Sequence, residues 1–145
     1  MFEENTFSEY QIIIVIGLPG SGKTELCKKI PSHKIYDDFI HYYYDSNMGN
    51  KLKYDLKNGN KIILNDPELC NINIYNLFIN KLKCDIKKTY LILFENNMNQ
   101  CLINAKNRKP YKEVTNYIMG LSKIYNIIKF NSLPYNKSII PVYIP

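Results

Sequence analysis

"IIIVIGLPGSGKT", residues 12–24, joins an unbroken apolar run to the pattern Gly-x-x-x-x-Gly-Lys-Thr. The run is far shorter than the roughly 20 apolar residues a bilayer-spanning helix needs. It does not alternate with polar residues either, so it reads as a central strand buried on both faces. Gly17, Gly20 and Gly22 permit backbone angles that turn consecutive N–H groups inward, and the helix expected next adds the positive end of its dipole. Together they make a nest for the β- and γ-phosphates of a nucleotide. Gly17, Gly20, Ser21, Gly22, Lys23 and Thr24 are therefore the candidate nucleotide-binding residues. Lys23 can bridge phosphate oxygens as a point charge, and the Thr24 hydroxyl is a candidate Mg²⁺ ligand. The alternative is a fortuitous Gly-rich turn, but such a turn seldom falls directly between a buried strand and a helix.

Outward from this loop, apolar stretches at residues 12–16, 34–36, 61–64, 90–94 and 139–144 read as strands. Helical segments are expected at residues 23–30, 46–57, 67–83, 98–107 and 112–130. Strands alternating with helices predict an α/β domain: parallel strands joined by right-handed crossovers, with helices on both faces. Pro141 cannot donate a ladder hydrogen bond, which puts the last strand at an edge or a bulge. In the last helical segment Val114, Tyr117, Ile118, Leu121, Ile124, Tyr125 and Ile128 recur at helical spacing and predict a stripe packed on the sheet.

The 145 residues fit one domain, taken as residues 11–145 behind an acidic leader, "MFEENTFSEY", at residues 1–10. The leader lacks the basic start of a signal peptide. Lys, Asn and Ile abound, Trp is absent, and Arg108 is the one arginine, a skew typical of AT-rich coding sequences such as those of many viruses, phages and parasites. The net charge of +6 therefore has two readings, a solvated lysine-rich surface or an attraction for polyanionic partners. Cys27, Cys70, Cys84 and Cys101 form no Cys-x-x-Cys pair, so buried thiols in a reducing cytoplasm are expected rather than zinc or redox chemistry.

Which kind of nucleotide protein this is depends on the other motifs. A guanine-reading Asn-Lys-x-Asp is missing: "NKLKCD" at residues 80–85 places Lys83 where the Asp should stand. A ring ATPase that donates arginine to its neighbour has neither the length nor the arginine supply here. After the second strand comes "YDDF", with Asp37 and Asp38 expected at the carboxyl edge of the sheet, facing the γ-phosphate. Phosphoryl transfer to an alcohol needs a carboxylate there to orient the hydroxyl and take its proton; the alternative is a helix N-cap pair. Asp37 is the first choice as catalytic residue. "KIILND" ends in Asp66, suited to a water of the Mg²⁺ shell or to the acceptor, with Asn65 able to share that work. Its alternative is to cap a helix that begins near Pro67. Arg108 closes the segment "FENNMNQCLINAKNR", where a helix-turn-helix lid at about residues 98–115 would bring a bidentate cation over the phosphates. The competing role is completion of the helix dipole. The tyrosines at residues 42–44 could line a base-stacking groove or be partly buried.

Taken in order, "GLPGSGKT", "YDDF", "KIILND" and "LFENNMNQCLINAKNR" with "VTNYIMGLSKIY" resemble the kinase domain of the bacteriophage-type polynucleotide 5′-kinases and their small P-loop kinase relatives. The resemblance spans about residues 11–130, and only the loop motif in it is specific. It implies a P-loop NTPase fold with a five-stranded parallel sheet in the order 2-3-1-4-5 and a small helical lid. It also implies that Lys23 and Thr24 bind ATP and Mg²⁺, that Asp37 is the general base toward a 5′-hydroxyl, and that Arg108 is the lid arginine. Where that family has an arginine to grip the acceptor's phosphate after the Asp pair, this chain has "FIHYYYD". The expected activity is an ATP-dependent phosphotransferase acting on an alcohol, either a nucleic acid 5′-hydroxyl or a nucleoside or nucleotide. The alternative is a nucleotide-binding regulatory or assembly module without transfer.

Overall fold

The computed structural model describes residues 7–44 and 47–145. The first six residues of the acidic leader, Asp45, and Ser46, the expected start of the second helix, lie outside the described residues. The elements run β1 (Ile12–Ile16), α1 (Lys23–Lys28), β2 (Lys34–Asp37), α2 (Phe39–Tyr42), α3 (Asn47–Lys57), β3 (Ile62–Asn65), α4 (Ile72–Leu82), β4 (Thr89–Phe94), α5 (Met98–Lys106), α6 (Thr115–Ile124), α7 (Ile127–Asn131) and β5 (Asn136–Ile140). All four strand pairings are parallel and the order is β2-β3-β1-β4-β5, as the family resemblance implies.

β1 is central because its side chains are apolar on both faces. Ile12, Ile14 and Ile16 pack with Leu52 of α3, Tyr75 and Phe78 of α4, and Ile118 and Leu121 of α6. Ile13 and Val15 pack with Leu26 and Cys27 of α1, together with Phe7, Tyr90 and Ile92. Period-two alternation thus sends each strand's side chains alternately to the α1 side and to the α3, α4 and α6 side. Part of the leader joins this core, since Phe7 is buried edge-on against Tyr90 and Tyr10 lies against the same ring.

Three elements differ from expectation. The last strand lies at residues 136–140, not 139–144: Pro141 stops the ladder, and the more polar "NKS" pairs with β4 instead, with Tyr90 and Ser138 hydroxyls bonded across the pair. The segment 112–130 is not one helix. Tyr125 is extended (φ −74°, ψ 99°) between α6 and α7, and its hydroxyl donates to the Phe94 carbonyl at 2.6 Å. Asn126 then caps α7 by accepting from the Lys129 N–H. The stripe breaks with it: Ile118, Leu121 and Tyr125 are buried, whereas Tyr117, Ile124 and Ile128 are exposed. Finally, residues 67–83 begin with a 3-10 turn, Pro67–Cys70, and α4 starts only at Ile72.

Candidate active site

Built from the loop, the site begins where β1 ends. Gly20 and Gly22 have φ of +86° and +104°, angles that side chains rarely adopt. The loop is clasped from two directions. Asn104 of α5 donates to both the Gly20 carbonyl (2.9 Å) and the Tyr143 carbonyl (2.7 Å), and the Tyr143 N–H donates to the Ser21 carbonyl (3.0 Å). A methyl group on Gly20 would lie 2.5 Å from the Cys101 carbonyl oxygen, a contact with backbone that cannot rotate away. Gly20→Ala should therefore lower the melting temperature by roughly 5–10 °C, the sum of left-handed strain and displacement of α5, read by thermal denaturation. Neither Asn104 nor Tyr143 was singled out from the sequence. Tyr143 reaches the loop because the chain leaves the sheet at Pro141.

Lys23 is buried, and its Nζ donates to the Leu18 carbonyl at 2.9 Å. Burial pulls its pKa below the ordinary lysine value, while the nearby Cys70, Cys101, Cys27 and Asp38 groups act in the opposite sense. The Ser21 Oγ is buried with no hydrogen-bond partner among the described residues. A buried ammonium at the start of the helix that follows a glycine loop is what an oxyanion ligand would neutralise. The donor set fits a nucleotide's phosphates. Thr24, in the first turn of α1, is exposed.

Across from the loop, the register row Val15, Asn65, Asp37 runs along the carboxyl edge of β1, β3 and β2. Alternation sends this row to the α1 side, where Asp37 is close enough to raise the Cys27 thiol pKa, though burial does most of that and takes it to about 12. Asp37 is exposed, and its Oδ1 accepts from Asn65 Nδ2 at 2.8 Å. Tyr42 of α2 donates its hydroxyl to the Asp37 carbonyl at 2.9 Å, and burial followed by the Asp37, Asp38 and Asp66 charges pushes its pKa up to about 12. Asp38 has a left-handed backbone (φ 50°) and gives α2 no side-chain cap bond, so the sequence's capping alternative does not describe it.

Asp66 falls on the other face of β3, and it does cap. Its Oδ1 accepts from the Glu68 N–H (2.9 Å) and its Oδ2 from the Ile40 N–H (3.2 Å), tying α2 to the 3-10 turn. Burial raises its pKa, and those two N–H groups work against the rise. Each oxygen keeps a lone pair. Among the described residues no three His, Cys, Asp or Glu side chains gather as a metal cluster, so a metal here would lean on the loop, on waters and on the nucleotide. Arg108 stands apart at the end of α5, exposed, with no ion-pair partner among the described residues. A cavity of about 540 Å³ opens between α5 and the start of α6, lined in part by Leu102, Ala105, Val114, Lys106 and Lys112; Lys23, Asp37 and Asp66 do not line it.

All four cysteines are free, three of them buried and Cys84 partly so. Among the described residues no helix is long and apolar enough to cross a membrane. No protein-family profile matches the chain. The uncharacterized protein R277 of Acanthamoeba polyphaga mimivirus is 41% identical over 132 residues, covering 86% of this chain and 93% of its own length. The chain belongs to the family of that viral protein. A gluconokinase from Sinorhizobium meliloti 1021 superposes with a TM-score of 0.61 at 9% identity, covering 96% of this chain and 85% of its own. The member of the R277 family described here thus has a P-loop kinase fold, with a five-stranded 2-3-1-4-5 parallel sheet and helices on both faces. The sequence resemblance is borne out at that level, as a P-loop kinase fold.

Proposed function

We propose that this protein is an ATP-dependent phosphotransferase of the polynucleotide 5′-kinase-like kind. It moves the γ-phosphoryl group to an alcohol, either a nucleic acid 5′-hydroxyl or a nucleoside or nucleotide. The observation that carries the reading is Asp37: an exposed carboxylate, held by a neighbouring side chain, at the carboxyl edge of the sheet from which the glycine loop leaves β1. In the step, the acceptor oxygen attacks the γ-phosphorus, the bond from that phosphorus to the β–γ bridging oxygen breaks, ADP leaves, and Asp37 takes the hydroxyl proton. The loop of Gly17, Gly20, Ser21 and Gly22 cradles the phosphates, and Lys23 exchanges the Leu18 carbonyl for phosphate oxygens. Thr24, with Asp66 through water, would hold a magnesium ion, whose chemistry is to neutralise phosphate charge.

Residues 98–115 act as the lid that carries Arg108 to the phosphates. The guanidinium has no ion-pair partner among the described residues, which supports this role, since closing the lid breaks none of the described ion pairs. An exposed Tyr44 with Lys81 Nζ over its ring, 5.2 Å from the centroid, supports an aromatic and cationic acceptor surface after the Asp pair. Free thiols and a viral relative support the cytoplasm of a host cell as the workplace.

The test is incubation with γ-labelled ATP, Mg²⁺ and a panel of acceptors: 5′-hydroxyl DNA and RNA oligonucleotides, nucleosides, nucleoside monophosphates and gluconate. Label on oligonucleotides or nucleosides is the expected result. Label on gluconate alone overturns the acceptor class. No label on any alcohol, with MgATP still raising the melting temperature, leaves the nucleotide-binding module instead.

A further inference from the structure

Asn65 ends an otherwise apolar strand, is 5% exposed, and leaves its Oδ1 without a hydrogen-bond partner among the described residues. A buried amide oxygen with no donor costs free energy that a leucine there would not. Its orientation is set by its neighbour. An ionised carboxylate only accepts, so the NH₂ end must face Asp37, and Oδ1 is turned away from it. The backbone fixes both partners, because Asp37 and Asn65 are register neighbours and the Asp38 N–H donates to the Asn65 carbonyl at 2.8 Å. Asp37 Oδ2 takes no hydrogen bond among the described residues.

We propose that Asn65 is the positioning residue of the site: its amide holds Asp37 Oδ1 so that Oδ2 meets the acceptor hydroxyl. This role rests on the phosphotransfer reading above. The bond to Asn65 removes rotational freedom from the Asp37 carboxylate, so the base is ready before the alcohol arrives.

Two variants test it, Asn65→Leu and Asn65→Asp, assayed with γ-labelled ATP and a 5′-hydroxyl oligonucleotide or whichever alcohol of the panel the wild type labels. Asn65→Leu should lose about 10–100-fold in kcat, the range for a hydrogen bond to a charged group, with the half-saturating ATP concentration within about twofold. Asn65→Asp removes the amide donor to Asp37 while nearly keeping the shape, so its kcat should fall at least as far. A merely structural residue would lower the melting temperature and leave kcat in place. An Asn65→Leu or Asn65→Asp enzyme within threefold of wild type overturns the positioning role while phosphotransfer stands. A wild type that labels no alcohol overturns the phosphotransfer reading, and this role with it.

Discussion

Asp37→Asn should transfer phosphate about 10²–10⁴-fold more slowly than the wild type, the span attributed to a positioned general base, with MgATP binding unchanged within about twofold. The substitution is nearly isosteric, and the introduced amide can turn its oxygen to Asn65 Nδ2, preserving the 2.8 Å contact. Only proton acceptance is lost. The side chain is exposed, so no buried charge is exchanged and the fold should hold. Single-turnover transfer of labelled phosphate, paired with thermal melts at saturating MgATP, separates chemistry from binding. Transfer at the wild-type rate would remove Asp37 as the base and turn attention to Asp38. Loss of the MgATP-induced shift would instead make Asp37 part of the nucleotide site.

How far the sequence carried this reading depended on whether local chemistry or tertiary pairing decided each feature. β1 and the loop were legible because an unbroken apolar run and obligatory glycines are local signals. The short helix α2 was not foreseen, since it hangs on a left-handed Asp38 and on Asp66 accepting from the Ile40 N–H, a contact across 26 residues. β5 was misplaced because the most apolar residues, 139–144, drew the reading past Pro141, whereas pairing with β4 recruits "NKS". The break at Tyr125 had a local signal in Asn126, a good N-cap residue, but the advantage of breaking there lies in the Tyr125 hydroxyl reaching the Phe94 carbonyl. Asn65 was legible as a neighbour of Asp66 and not as a partner of Asp37. That partnership exists only once β2 lies beside β3 in this register.

Lys23→Met should make the free protein more stable and abolish its response to ATP. In the free protein the ammonium is buried with one carbonyl, the Leu18 oxygen, as its hydrogen-bond partner among the described residues, and burial depresses its pKa. A buried cation so sparsely compensated is a cost that Met, similar in length and uncharged, removes. Relief of about 1–2 kcal/mol corresponds to roughly 2–6 °C in melting temperature at this chain length. The sign with pH follows from linkage. Between its lowered folded pKa and the ordinary lysine value of 10.5 the unfolded chain holds a proton that the folded protein has shed, so wild-type stability gains from Lys23 as pH rises through that window. Below the folded pKa the penalty is constant. The advantage of Lys23→Met should therefore be full below the folded pKa and shrink as pH rises from there toward 10.5, and comparing the two proteins at each pH removes the tyrosine titrations they share. With MgATP at about 100 times its Kd, the wild type should gain about 2.7 kcal/mol and the variant almost nothing. A variant that melts below the free wild type would show that the ammonium is not a cost. One that keeps the wild-type MgATP shift would show that Lys23 does not hold the phosphates. If both expectations hold, the loop keeps a charge that weakens the empty fold because the phosphates that neutralise it arrive with the substrate.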